Sequence, residues 1–75
     1  MANNFDEELG RTLVVMRKQA GLTQDDVAKR MGITKAAVSH YENGTRQIYA
    51  SVLKQYCKAV GVKVQYVFDY MDENK

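Results

Sequence analysis

From Phe5 onward the apolar residues recur at three- and four-residue intervals, and glycines interrupt them at Gly21, Gly32, Gly44 and Gly61. That is the spacing of short amphipathic helices separated by tight turns. In the first segment Phe5, Leu9, Leu13, Met16 and Ala20 share one helix face, and Gly21 stands where a left-handed C-cap belongs. Thr23 predicts an N-cap, with Asp26 three residues on as an acidic form of the capping box, and Val27, Ala28 and Met31 make a short inner face before Gly32. Thr34 caps a third predicted helix, from about Lys35 to about Glu42, with Val38 and Tyr41 inward. Asn43-Gly44 signals a turn and Thr45 to Ile48 an ordered loop. A fourth helix, from about Ala50 to about Val60, turns Val52, Leu53, Tyr56, Cys57 and Val60 inward before Gly61.

The rhythm then changes. Val62, Val64, Tyr66, Phe68 and Tyr70 alternate with Lys63, Gln65, Val67 and Asp69, a period of two in β-branched and aromatic residues that predicts a strand. A lone strand leaves its backbone groups unpaired, so the same strand of a second copy, antiparallel across a two-fold axis, is the expected partner. On this reading residues 62–70 are a dimerisation segment carried by Val62, Val64, Tyr66 and Phe68. The alternative is a short fifth helix from about Val64 to about Met71.

Composition narrows the class. A chain of 75 residues is expected to make one domain with a small core, which must be supported by helix packing, a metal, disulfides or a partner subunit. Cys57 and His40 are its single cysteine and histidine, too few for an internal disulfide or a closed zinc site. No long uncharged apolar run predicts a membrane span, and Asp6, Glu7 and Glu8 argue against a signal peptide, so the expected location is cytoplasmic. The formal charge of +2 hides an asymmetry. Between Arg11 and Lys63 ten basic residues face three acidic ones, a balance of +7, while the ends hold six acidic residues against Lys75, a balance of −5. A basic centre suits a polyanion, although ordinary solvated surface gives the same composition.

The densest signal is the helix pair over residues 24–42. Two short helices can cross closely where the contact residues are small or well shaped, and Ala28, Gly32, Ile33 and Val38 supply that. The run Gly21-Leu22-Thr23-Gln24, with Ala28, Gly32, Val38-Ser39 and Glu42-Asn43-Gly44, resembles the phage-repressor-type (Xre/Cro-like) helix-turn-helix family, more loosely from about Leu9 to Val62. The resemblance implies a mainly α, four-helix lambda-repressor-like domain whose helix from Lys35 enters the major groove while the preceding helix crosses the phosphate backbone.

The residue types agree with that implication. Lys35, Ala36, Ser39 and His40 lie away from Val38 and Tyr41. Lys35 can donate to guanine O6 or N7, Ala36 can pack on a thymine methyl, and Ser39 and His40 can bond a base edge or a phosphate. Many relatives carry glutamine where Lys35 stands, so the lysine favours guanine over adenine. Gln24 and Thr34, at two helix starts, are candidate phosphate contacts. The resemblance points to Asn43, Thr45 and Arg46 as further ones, and implies that Arg17 pairs with Glu42 to steady the reading helix while leaning on a phosphate.

The remaining candidates read as ordinary structure. Lys29, Arg30, Lys54 and Lys58 are expected on solvated faces, Tyr49 and Tyr56 in packing, and Cys57 as a small buried hydrophobe. No catalytic constellation is visible, and no cofactor, metal or small-molecule ligand is expected. The expected function is a sequence-specific double-stranded DNA-binding regulator, a repressor acting as a homodimer on a palindromic operator. An antitoxin that also neutralises a toxin partner, or a restriction–modification controller, fits the same residues.

Overall fold

Local sequence chemistry sets where each helix starts and stops. The computed structural model describes residues 4–74 and forms α1 (Asn4–Gln19), α2 (Gln24–Met31), α3 (Lys35–Asn43), α4 (Ala50–Val60) and α5 (Val64–Glu73). At the start of α2 the Thr23 hydroxyl accepts from the Asp26 N–H at 3.1 Å and the Asp26 carboxylate accepts from the Thr23 N–H at 2.9 Å, a complete capping box. The Thr34 hydroxyl accepts from the Ala37 N–H at 3.0 Å and starts α3. Gly21, Gly32, Gly44 and Gly61 all take the left-handed backbone expected of stops. At Gly32, with φ of 70°, this reversal is what permits only Ile33 and Thr34 to follow before α3 begins.

The helices enclose one core. Leu9, Leu13 and Met16 of α1, Val27 and Ala28 of α2, Val38 of α3, Leu53, Tyr56, Cys57, Ala59 and Val60 of α4, and Val67 and Met71 of α5 are all buried. α1 packs on α3, α4 and α5, and α2 packs on α3 and α4. α3 is therefore held from behind by α1 and from the side by α2. Gly10 explains how closely α1 approaches. A Cβ there would lie 2.6 Å from the carbonyl oxygens of both Tyr41 and Glu42, so only glycine admits the last turn of α3. Gly44 is pressed in the same way against the Glu7 backbone, where a Cβ would meet Cα at 2.6 Å. Asp6, buried near the start of α1, accepts from the Ile48 N–H at 3.4 Å and ties down the loop that leaves α3.

The C-terminal segment corrects the strand expectation, because Val64–Glu73 is helical and no strand forms among the described residues. The same apolar residues also satisfy a helical stripe: Val64, Val67, Phe68 and Met71 stand at i, i+3, i+4 and i+7. Val67, an interruption in the alternating pattern, becomes fully buried and decides between the two periods. Val62, Val64 and Phe68 are half-buried against the core, while Tyr66 is 48% exposed and lies about 160° around α5 from Val64 at 100° per residue. An edge-to-edge β ladder through Val62, Val64, Tyr66 and Phe68 is therefore not available. Three smaller expectations also change: Phe5, Ala20 and Tyr49 are exposed rather than inward.

Candidate nucleic-acid interface

α3 presents one face outward. Lys35, Ala36 and His40 are exposed and Ser39 is half-buried, whereas Val38 and Glu42 on the opposite side are buried. Because α3 extends one residue beyond the expected end, Asn43 joins the same stripe as Ala36, Ser39 and His40, and its amide donates to Ser39 Oγ at 3.3 Å. His40 Nδ1 lies 3.0 Å from Thr45 Oγ1. Arg46 places its guanidinium 5.5 Å from the centre of the Tyr41 ring, a cation–π contact that holds the charge at the exit of α3.

Behind this face lies a buried ionic cluster centred on Glu42. Arg17 donates from Nε to Glu42 Oε2 at 2.8 Å and from Nη2 to Oε1 at 3.1 Å, and from Nη1 to the Leu22 carbonyl at 2.9 Å. Gln24 donates from Nε2 to Oε1 at 3.0 Å, and the Tyr56 hydroxyl donates to Oε2 at 2.6 Å. The hydroxyl also sits 3.1 Å from the Leu13 carbonyl, but its single proton favours the shorter contact with a charged acceptor. Burial alone would push the Glu42 carboxyl up, yet the hydrogen bonds from Arg17, Gln24 and Tyr56 outweigh it and hold Glu42 below its ordinary range. The same hydrogen bond with Glu42 keeps Arg17 above its ordinary value against desolvation. Burial, reinforced by Glu42, raises Tyr56. A carboxylate in the last turn of a helix opposes the macrodipole, and Arg17 supplies the compensating charge.

The cluster sorts the expected phosphate contacts. Gln24 is half-buried and oriented by Glu42, with one amide N–H left over at the start of α2. Thr34 is exposed, and its hydroxyl, whose oxygen accepts from Ala37, keeps its own proton as a donor at the start of α3. Asn43, Thr45 and Arg46 are exposed at the end of α3. Arg17 is different, since its side chain is only 11% exposed and three N–H groups are committed internally. The ion pair with Glu42 forms as expected, in a position that serves the interior.

A helix-turn-helix family model matches residues 15–67, most of the chain and all of the α2–α3 pair. The chain belongs to the Cro/C1-type helix-turn-helix family. It is 28% identical over 67 residues to an uncharacterized HTH-type transcriptional regulator of Sinorhizobium medicae, covering 89% of this chain and 48% of that protein. It is 33% identical over 57 residues to antitoxin HigA1 of Mycobacterium tuberculosis, covering 76% of this chain and 38% of the antitoxin. The chain thus spans about half the length, or less, of these curated relatives. The fold is that of the crystal structure of the clp gene regulator ClgR from C. glutamicum, with a TM-score of 0.89 at 24% identity, covering 96% of this chain and 94% of that one. Restriction-modification controller proteins share it as well.

Within this helix-turn-helix framework several structural residues escape a sequence reading. Gly10 is an isolated glycine inside a helical pattern, an unfavourable choice for a helix interior that hints at a packing reason, and only the structure shows the Tyr41 and Glu42 carbonyls against it. Tyr56 reads as packing, and its role as a donor to Glu42 depends on a contact across 14 positions of sequence. Asp6 counts toward the acidic end of the chain and is instead buried. Among the described residues no group of three or more His, Cys, Asp or Glu could hold a metal ion, and no helix is long and apolar enough to cross a membrane.

Proposed function

We propose that this chain is a sequence-specific double-stranded DNA-binding regulator that acts as a repressor, binding a palindromic operator as a homodimer. The observation that carries the reading is the rigid mounting of α3. Its outer face of Lys35, Ala36, Ser39 and His40 is exposed, and its inner carboxylate is fixed by α1, α2 and α4 through Arg17, Gln24 and Tyr56. A pre-set helix loses little freedom on entering the major groove, so its contacts translate into discrimination between bases. Lys35, Ala36, Ser39 and His40 take the base edges. Gln24, Thr34, Asn43, Thr45 and Arg46 take phosphates, with the free N–H groups at the start of α2 beside Gln24. Arg17 is assigned to holding Glu42.

One short helix reads too few base pairs for specificity among many competing sites, which supports two copies reading half-sites about 34 Å apart. With the strand gone, the second copy would meet the C-terminal segment on the half-buried side of Val62, Val64 and Phe68, while Tyr66 projects from the far side of α5. The similarity to antitoxin HigA1 favours a second reading, in which the same domain also binds and neutralises a protein partner. Selection of bound sequences from a random duplex pool tests the main reading. Inverted half-sites at a fixed spacing of about one turn support it, and a pool with no enriched sequence sinks it.

A further inference from the structure

Arg46 and Gln47 form a short arch between two fixed feet. On the α3 side Gly44 closes the helix with φ of 74°, and the Thr45 N–H donates to the His40 carbonyl at 3.1 Å. On the other side the Ile48 N–H donates to Asp6 Oδ1 at 3.4 Å, and the Ile48 side chain packs half-buried against the core. Only Arg46 and Gln47 lie between these anchors, and both are exposed.

The first turn of α1 supports both feet. Gly44 lies so close to Glu7 that an added Cβ would meet its Cα at 2.6 Å and its Cγ at 2.7 Å. Asp6, one residue earlier, is 4% exposed, and a carboxylate at that depth is costly unless it is hydrogen-bonded. Its place in the first turn offsets part of the cost, because the positive end of the helix dipole favours an anion there. The bond to Ile48 spans 42 positions of sequence and is long, so it contributes placement more than strength.

We propose that Asp6 is a positioning residue for DNA binding: through the Ile48 N–H it fixes the arch, so that Arg46 meets a phosphate with its backbone already ordered. This rests on the DNA-binding reading above and adds to it a residue that touches no DNA. An unanchored arch would lose backbone freedom on gripping a phosphate, a cost the anchored arch has met on folding. The sign of the effect separates placement from charge. Removing an acidic charge near a polyanion tightens binding, whereas removing the anchor weakens it.

The experiment measures affinity and its salt slope for the full chain on the duplex selected from the random pool and on an unrelated one. Wild type is compared with Asp6→Ala, Asp6→Asn, Arg46→Ala and the double variant of Asp6→Ala with Arg46→Ala. Asp6→Ala should bind both duplexes about two- to tenfold more weakly, with base preference unchanged. Asp6→Asn keeps an Oδ1 acceptor and should bind at least as tightly as wild type. In the Arg46→Ala background Asp6→Ala should cost almost nothing more, because the cation it places is gone, whereas a general loss of fold would add in full. Amide exchange on the wild type needs no variant and should be slower at Ile48 than at Gln47. The proposal is overturned if Asp6→Ala binds as well as wild type, if Asp6→Asn loses as much as Asp6→Ala, if the Asp6 and Arg46 losses add in full, or if Ile48 exchanges as fast as Gln47. A wild-type chain that binds neither duplex overturns the DNA-binding reading itself, while tight wild-type binding with any of those four results leaves that reading standing and sinks only the role of Asp6.

Discussion

Tyr56 donates its hydroxyl proton to Glu42 at 2.6 Å and so joins α4 to the buried side of α3. Tyr56 is fully buried and Glu42 is 3% exposed, so this bond works in a low-dielectric interior where an unpaired partner is costly. Tyr56→Phe removes one donor and leaves Arg17 and Gln24 on the carboxylate. We expect a loss of about 1.5–3 kcal/mol in urea unfolding, the usual worth of a hydrogen bond to a charged group. Arg17→Met strands the carboxylate without its counter-charge and should cost about 3–5 kcal/mol. A smaller loss for Arg17→Met than for Tyr56→Phe would show that the cluster is not organised around the ion pair.

Stability should follow the titration of this cluster. Glu42 has a folded-state value below its unfolded one near 4.5, so its stabilisation is complete above that pH and is lost as pH falls through the folded value. Asp26, held low by the backbone and side-chain hydrogen bonds of the Thr23 cap, acts in the same direction below 3.8. Tyr56 is raised above 10.0, so its contribution is complete below that pH and is lost at higher pH. Urea midpoints should be flat between about pH 5 and 9 and fall on both sides. The acid limb should be shallower in Glu42→Gln; an unchanged limb in that variant would assign it elsewhere.

Gly10→Ala tests the approach of α1 to α3. On an exposed helix the change would stabilise by roughly 0.5–1 kcal/mol, because alanine is the better helix former. Here the new Cβ would meet two backbone carbonyls at 2.6 Å, neither of which can swing away as a side-chain end could. A net loss of about 1–3 kcal/mol is expected, the cost of overpacking, together with weaker DNA binding as α3 shifts. Unchanged or raised stability would show that the two helices part without strain.

Cys57 is 2% exposed, and burial pushes its thiol up. A thiol-reactive probe should label it only through opening of the core, at a rate that rises steeply with urea. Rapid labelling without denaturant would contradict the described packing of α4.

The helix-turn-helix was legible because each boundary is carried by a residue with a local cause: the Thr23–Asp26 box, the Thr34 cap, and Gly32 and Gly44 at the stops. The outward face of α3 was legible for the same reason, once Val38 marked the inside. The apolar residues of α5 fit two periods, so strand and short helix both stand as sequence readings, and only the burial of Val67 and Met71 against the other helices chooses the helical alternative. The Glu42 cluster was half legible. Its pairing with Arg17 came from the family resemblance, while the donations from Gln24 and Tyr56 depend on the crossings of α2 and α4, which local pattern does not encode.

If α3 contacts base edges and the residues after it grip the backbone, Lys35→Ala and Arg46→Ala should part company when their binding to the selected site and to an unrelated duplex is measured across a salt series. Lys35→Ala should lose about 1–3 kcal/mol on the selected site, with relaxed preference at one position of each half-site and much less change on unrelated DNA. Arg46→Ala should weaken both duplexes alike and lower the salt slope by about one per contact. Equal losses on both duplexes for both variants would show that Lys35 and Arg46 do not divide base and backbone contacts between them.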